Sequence, residues 1–147
     1  MILSFEKISS VTQDITKPLE ELLKWRWEES RQAILSEFAS GKAEQTLAVL
    51  RSNFKDEWDR KTIKKAPKDL KDQLGELANI TKEQKLFTRP ATDQHPATLA
   101  IWWPWGHGST LSLRLTILEN SYEYTPQLST ENRLVAYIRS TLFRKKK

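Results

Sequence analysis

The sequence predicts an α+β fold in which N-terminal antiparallel helices pack on a small three-stranded antiparallel meander, with a C-terminal helix. Three observations predict it. Apolar residues recur at the helical period through most of residues 1–90. Leu111, Leu113, Leu115 and Ile117 then alternate with Ser112, Arg114, Thr116 and Leu118, the period of a strand. The run Pro104-Trp105-Gly106-His107-Gly108 separates that segment from Thr98–Trp103, which reads as a hairpin loop between two strands. At 147 residues one domain is expected, 1–147, with a mainly helical part (1–90), the meander (98–125), a helix (129–143) and a basic tail (144–147).

The first helix is expected to start at Thr16 as N-cap, with Pro18, Glu20 and Glu21 in the first turn, and to stop near Ala39 before Ser40-Gly41. Ile15, Leu19, Leu22, Leu23, Trp27, Ile34 and Phe38 share its apolar face. Arg26 and Glu37 intrude on that face, and Trp25 falls nearly opposite it. A second helix over 43–65 follows from Ala43, Leu47, Leu50, Phe54 and Trp58, which step by four, three, four and four. Pro67 cannot continue that helix but suits the first turn of another, with Leu70, Leu74 and Leu77 buried. Thr81-Lys82-Glu83-Gln84 fits a capping box. Tyr122 and Tyr124 are assigned to a third short strand ended by Pro126, and Ser129 or Thr130 caps a last helix with Leu134, Tyr137, Ile138 and Leu142 inward.

Several function classes are excluded. With no cysteine there is no disulfide framework, thiolate metal site or cysteine nucleophile, which suits a reducing, cytoplasmic compartment. Glu6 comes too early for a signal-peptide core, and the most apolar stretch, Leu99–Leu118, is interrupted by Pro104, His107 and Arg114, so no transmembrane segment is expected. The histidines, His95 and His107, stand at opposite ends of the first meander strand, too far apart to share an ion with Asp93. There is no phosphate-binding glycine loop, HExxH or nucleophile elbow. No catalytic residue, metal or cofactor is assigned, and the expectation is a protein that is not an enzyme.

Two surface features remain. Half of the six tryptophans lie at 102–105. Alternation puts Trp103 on the face of Leu99 and Ile101, expected to be core, and Trp102 on the other face; with helices on one side only, Trp102 and the loop residue Trp105 would be exposed. Trp102, Trp105, His107 and Trp25 are the candidate partner-binding residues, and another protein, met by a small regulator, adaptor or complex subunit, is the expected partner.

The second feature is charge. The net +5 divides into −3 over residues 1–59, +5 over 60–71, −1 over 72–143 and +4 over 144–147. Arg60, Lys61, Lys64, Lys65, Lys68 and Lys71, with Arg144, Lys145, Lys146 and Lys147, are the candidate anion-binding residues for the alternative of a nucleic-acid binder. Three helices before a hairpin resemble a winged-helix arrangement, with 67–79 as recognition helix, but the 104–109 tip carries no lysine or arginine. A third alternative is peripheral membrane contact through tryptophans and the basic tail. The bland reading of both features is a covered aromatic core and a solvated lysine surface.

Overall fold

In the computed structural model, which describes residues 2–124, six antiparallel strands form one sheet in the order β1-β2-β6-β5-β4-β3. The strands are β1 (Arg26–Glu28), β2 (Ala33–Ala39), β3 (Asp56–Trp58), β4 (Lys85–Arg89), β5 (Thr98–Pro104) and β6 (Thr110–Ile117). Four short helices accompany them: α1 (Phe5–Val11), α2 (Gln13–Thr16), α3 (Ala43–Asn53) and α4 (Lys68–Leu74). The α+β class stands, but the three-stranded meander under long N-terminal helices is corrected to a six-stranded sheet with helices on both faces.

The correction has a local physical cause. Residues four apart share a face in a helix and also in a strand, so Ile34 and Phe38 fit either period. The segment expected as one helix from Thr16 to Ala39 instead runs through turns over 17–22 and then folds as β1, a 3-10 turn over Glu29–Arg31, and β2. Gln32, with φ at 50°, takes the left-handed conformation that lets the chain reverse between the strands. β2 then pairs with β1 (Trp27↔Ile34) and with β6 (Ile34↔Leu115, Phe38↔Leu111), partners that lie 7 and more than 70 residues away.

The helix expected over 43–65 ends at Asn53, whose side-chain amide donates to the Val49 carbonyl (2.8 Å). Phe54 is extended, and Phe54 and Trp58, read as one helical stripe, bury on opposite sides of the sheet. The Thr81–Gln84 segment is a turn into β4, although one capping-box bond forms, from the Thr81 N–H to Gln84 Oε1 (3.0 Å). The hairpin of β5 and β6 forms where alternation and the Gly-rich loop put it. Residues 121–124 form no strand; Tyr122 instead packs in the core beside α4, 2% exposed. The expected helix at 129–143 and the tail at 144–147 lie outside the described residues.

Each face of the sheet carries a core, an upper one beneath the N-terminal segments and α3 and a second one beside α4. On one, Ile34, Phe38, Phe87, Ala100, Trp102, Leu111, Leu113 and Leu115 meet Ile8, Ile15, Leu19, Leu23, Leu50 and Phe54 from the N-terminal segments and α3. Arg89 ties this layer down: its guanidinium pairs with Asp14, donates to the Val11 carbonyl (3.3 Å) and lies 5.1 Å over the Phe54 ring. On the other face, Trp58, Leu86, Leu99 and Ile101 meet Ile63, Leu70, Leu74 and Ile80. Within it the Trp58 ring N–H donates to Thr88 Oγ1 (2.8 Å), Thr88 bonds the Tyr122 hydroxyl (2.6 Å), and that hydroxyl donates to Asp56 (2.6 Å). A buried neutral donor beside a carboxylate holds its proton firmly: burial first, and Asp56 after it, push the Tyr122 hydroxyl well above the ordinary tyrosine range.

This second core covers β3, β4 and β5 only. Among the described residues no helix packs over the same face of β1, β2 and β6.

Candidate functional site: the charged sheet face beside the Trp hairpin

On the uncovered half, strand geometry sends Arg26 and Glu28 (β1), Leu35 and Glu37 (β2), and Ser112 and Arg114 (β6) to one side. Trp103 joins them from β5, directly opposite Ser112. Arg114 reaches across β2 to Glu28 with a two-point pair, Nε to Oε1 at 2.6 Å and Nη2 to Oε2 at 3.0 Å. That bridge passes over Leu35, which is only 2% exposed although it belongs to neither core. Arg26 pairs in turn with Glu37. The two residues that seemed to intrude on a helical stripe are thus ion-pair partners on a strand face.

Trp103 anchors the inner end of this face, half-buried at the margin of the second core. Two guanidinium groups lie over its ring, Arg31 at 4.6 Å and Arg114 at 5.2 Å. Arg114 also donates to Ser112 Oγ (3.2 Å), which donates to the Trp103 carbonyl (3.2 Å). Three cations bear on Glu28. The Arg114 bond first, then the charges of Arg114, Arg31 and Arg26, hold its carboxyl below the ordinary glutamate value of 4.5 against the opposing effect of burial. A carboxyl depressed in the folded state contributes stability above its unfolded pKa, and that contribution is lost as pH falls through the folded value. In acid unfolding followed by circular dichroism, wild type should therefore lose stability as pH drops below about 4.5, and Glu28→Gln should show a shallower loss from a lower starting stability. An identical acid limb in both would remove Glu28 from the set of stabilising carboxylates.

At the hairpin tip, Gly108 donates its N–H to the Trp105 carbonyl (2.8 Å) and adopts φ +76°, a conformation glycine takes without strain. Trp105 is 46% exposed. Its ring meets His107 edge-on, with centroids 5.9 Å apart, and His107 Nδ1 lies 2.5 Å from Ser109 Oγ while accepting from the Ser109 N–H (3.2 Å). The tip is thus an ordered projection with an aromatic surface.

Of the residues named from sequence, Trp105 and His107 are exposed at this tip. Trp102 is not: it is 3% exposed in the upper core, its ring 5.8 Å from Phe38. Alternation placed Trp102 and Trp103 on the correct opposite faces, but the helices cover the Trp102 face and leave Trp103 at an edge, which inverts their expected exposure. Trp25 packs half-buried against the upper core beside a hollow of about 360 Å³ lined also by Gln13, Lys17 and Glu20, away from the charged face. Arg31, Arg114 and Glu28 are not among the candidate site residues that the sequence offers. The available signal was the polar side of β6, where Ser112 and Arg114 repeat at strand spacing.

The basic segment forms a separate surface. It spans a 3-10 turn (Thr62–Lys65) and the start of α4, so the break is not one between two α-helices, and Pro67 is the α4 cap. Arg60, Lys61, Lys64, Lys65 and Lys68 are exposed; Lys71 is half-buried and donates to the Lys64 carbonyl (3.2 Å). Asp59 caps the turn, accepting from the N–H groups of Lys61 (2.8 Å) and Thr62 (2.9 Å), and these bonds, the Thr62 one foremost, hold its carboxyl below the usual range. Lys82 and Lys85 join Arg60 and Lys61 around a shallow hollow of about 240 Å³. The helix over 67–79 is a two-turn α4 continued by a 3-10 turn, docked on a sheet rather than on two long helices, so the winged-helix arrangement is not the one formed. Arg144, Lys145, Lys146 and Lys147 lie outside the described residues.

Among the described residues no three of histidine, aspartate and glutamate come together as a metal ion would require, and no helix is long and apolar enough to cross a membrane. No protein-family model matches the chain, and searches of curated proteins and of solved structures give no match.

Proposed function

We propose that this protein is a non-enzymatic interaction module, a regulator, adaptor or complex subunit, that binds another protein through the β5–β6 hairpin. The observation that carries the reading is the half-buried Trp103 under two arginines, continuous along the hairpin with Trp105, 46% exposed at its tip. Tryptophan and arginine dominate the energetics of protein interfaces, and residues already held in place lose little entropy on binding. The sequence supports the non-enzymatic half of the reading, since it carries no legible nucleophile, metal motif or phosphate loop, and its lack of cysteine suits the cytoplasm.

The test is affinity capture on the immobilised full chain from extract of the native host, with wild type beside Trp105→Ala and Lys64→Glu. Proteins retained by wild type and Lys64→Glu but lost with Trp105→Ala, at unchanged melting temperature, are the expected result. A captured set indifferent to Trp105 overturns the assignment to the hairpin.

A second reading, nucleic-acid binding, is favoured by the five exposed cations around one turn, Arg60 to Lys68. Phosphate contacts weaken steeply with salt. On that reading, Lys61, Lys64, Lys65 and Lys68 changed together to glutamate should abolish retention on heparin and on RNA. Unchanged retention removes it.

A further inference from the structure

We infer that the partner presents a carboxylate, from an aspartate, a glutamate or a chain terminus, to Arg31, and an apolar side chain to the uncovered edge of Trp103. The inference rests on the hairpin reading above and names the partner's chemistry. The charge arrangement of the face carries it. Arg114 is satisfied by Glu28 and Ser112, and Arg26 by Glu37. Glu29, the remaining acid of this turn, is engaged by the Trp27 ring N–H (2.6 Å) and the Gln32 amide (3.0 Å). Of the three arginines on this face, Arg31 alone has neither an ion pair nor a side-chain hydrogen bond among the described residues, and it is exposed.

Its guanidinium is nevertheless held, 4.6 Å over the Trp103 ring, at the end of a 3-10 turn whose left-handed Gln32 sets the chain direction. A guanidinium stacked by one face keeps its in-plane N–H donors for a second partner, and the planar fork of those donors matches a carboxylate in two bonds. Glu28 and Glu37 are paired with Arg114 and Arg26, and the Glu29 carboxylate is bonded by the Trp27 and Gln32 side chains, so an approaching carboxylate finds the in-plane donors of Arg31 unengaged among the described residues. Beside that charge the half-buried Trp103 offers apolar surface, so the fitting partner segment carries an acid next to an apolar or aromatic residue.

The probe is a phage-displayed library of random linear peptides, selected against the full chain and against its Arg31→Glu variant. Wild type should enrich peptides with aspartate or glutamate adjacent to an apolar residue, and synthetic versions of these should lose about tenfold or more in affinity, on the order of 1.4 kcal/mol, on Arg31→Glu. Arg31→Lys should retain part of the affinity, because it keeps the charge but not the fork. The Arg31→Glu selection should enrich lysine and arginine instead. Arg31 is exposed, so the variants are expected to fold, and their melting curves check it. Peptides that bind at the hairpin, as judged by loss on Trp105→Ala, but show no preference for acids overturn the carboxylate inference while leaving the interaction module standing. Absence of hairpin-dependent peptides overturns both.

Discussion

Trp102→Ala is expected to destabilise the protein by about 3–5 kcal/mol, enough to unfold much of the population at physiological temperature. The ring is 3% exposed, faces Phe38, and sits opposite Leu113 in the middle of the sheet, where surrounding strands hold the cavity open. Trp105→Ala should leave the melting temperature within a few degrees, since nearly half of that residue is already in water. Trp103→Ala should fall between, losing part of an apolar contact and both guanidinium contacts. Urea melts of the three variants read the order directly. Equal losses for Trp102→Ala and Trp105→Ala would mean that the tip is as firmly packed as the core.

Asp14→Ala is expected to cost about 3 kcal/mol, more than Arg89→Met, although Asp14 is the more exposed partner. The Arg89 side chain is 3% exposed and Asp14 40%. Removing Asp14 leaves a buried cation with the carbonyls of Val11 and Asn53 and the Phe54 ring for support, and among the described residues its Nε has no partner even with Asp14 present. Removing Arg89 frees a carboxylate that water can reach, and a methionine there replaces the cation with a flexible apolar chain. The order of the two losses, measured by denaturant unfolding at one ionic strength, distinguishes this desolvation account from a simple pairwise attraction. The pairwise view predicts equal losses.

These two sites differ in how much of them could be read from the chain. The side on which each hairpin tryptophan lies follows from alternation alone, because the strand period is set by covalent geometry. Which side is dry does not. It depends on where residues 5–23 and α3 pack, and those contacts join segments far apart in sequence. Likewise Arg89 reads as a polar residue before Pro90, and nothing local shows that Asp14, 75 residues earlier, will be laid against it. β4 escaped notice for a related reason. Lys85–Arg89 is buried on both faces, so Leu86-Phe87-Thr88 shows no alternation of apolar with exposed polar residues.

By itself the sequence determined the mixed α+β class, the β5–β6 hairpin with its register of faces, the interruption at Pro67, and the concentration of positive charge between Arg60 and Lys71. Each follows from a restriction within a few residues: the pleat, the fixed φ of proline, the glycines of a tight turn, or plain charge. Only the tertiary structure decided that residues 26–39 form two strands around a turn rather than helix, that Trp102 is core and Trp103 half-buried, and that Arg26, Arg31, Arg114, Glu28 and Glu37 share one surface. An i, i+4 pair of apolar residues satisfies both periods, and the hydrogen bonds that break the tie come from β6, more than seventy residues further along the chain.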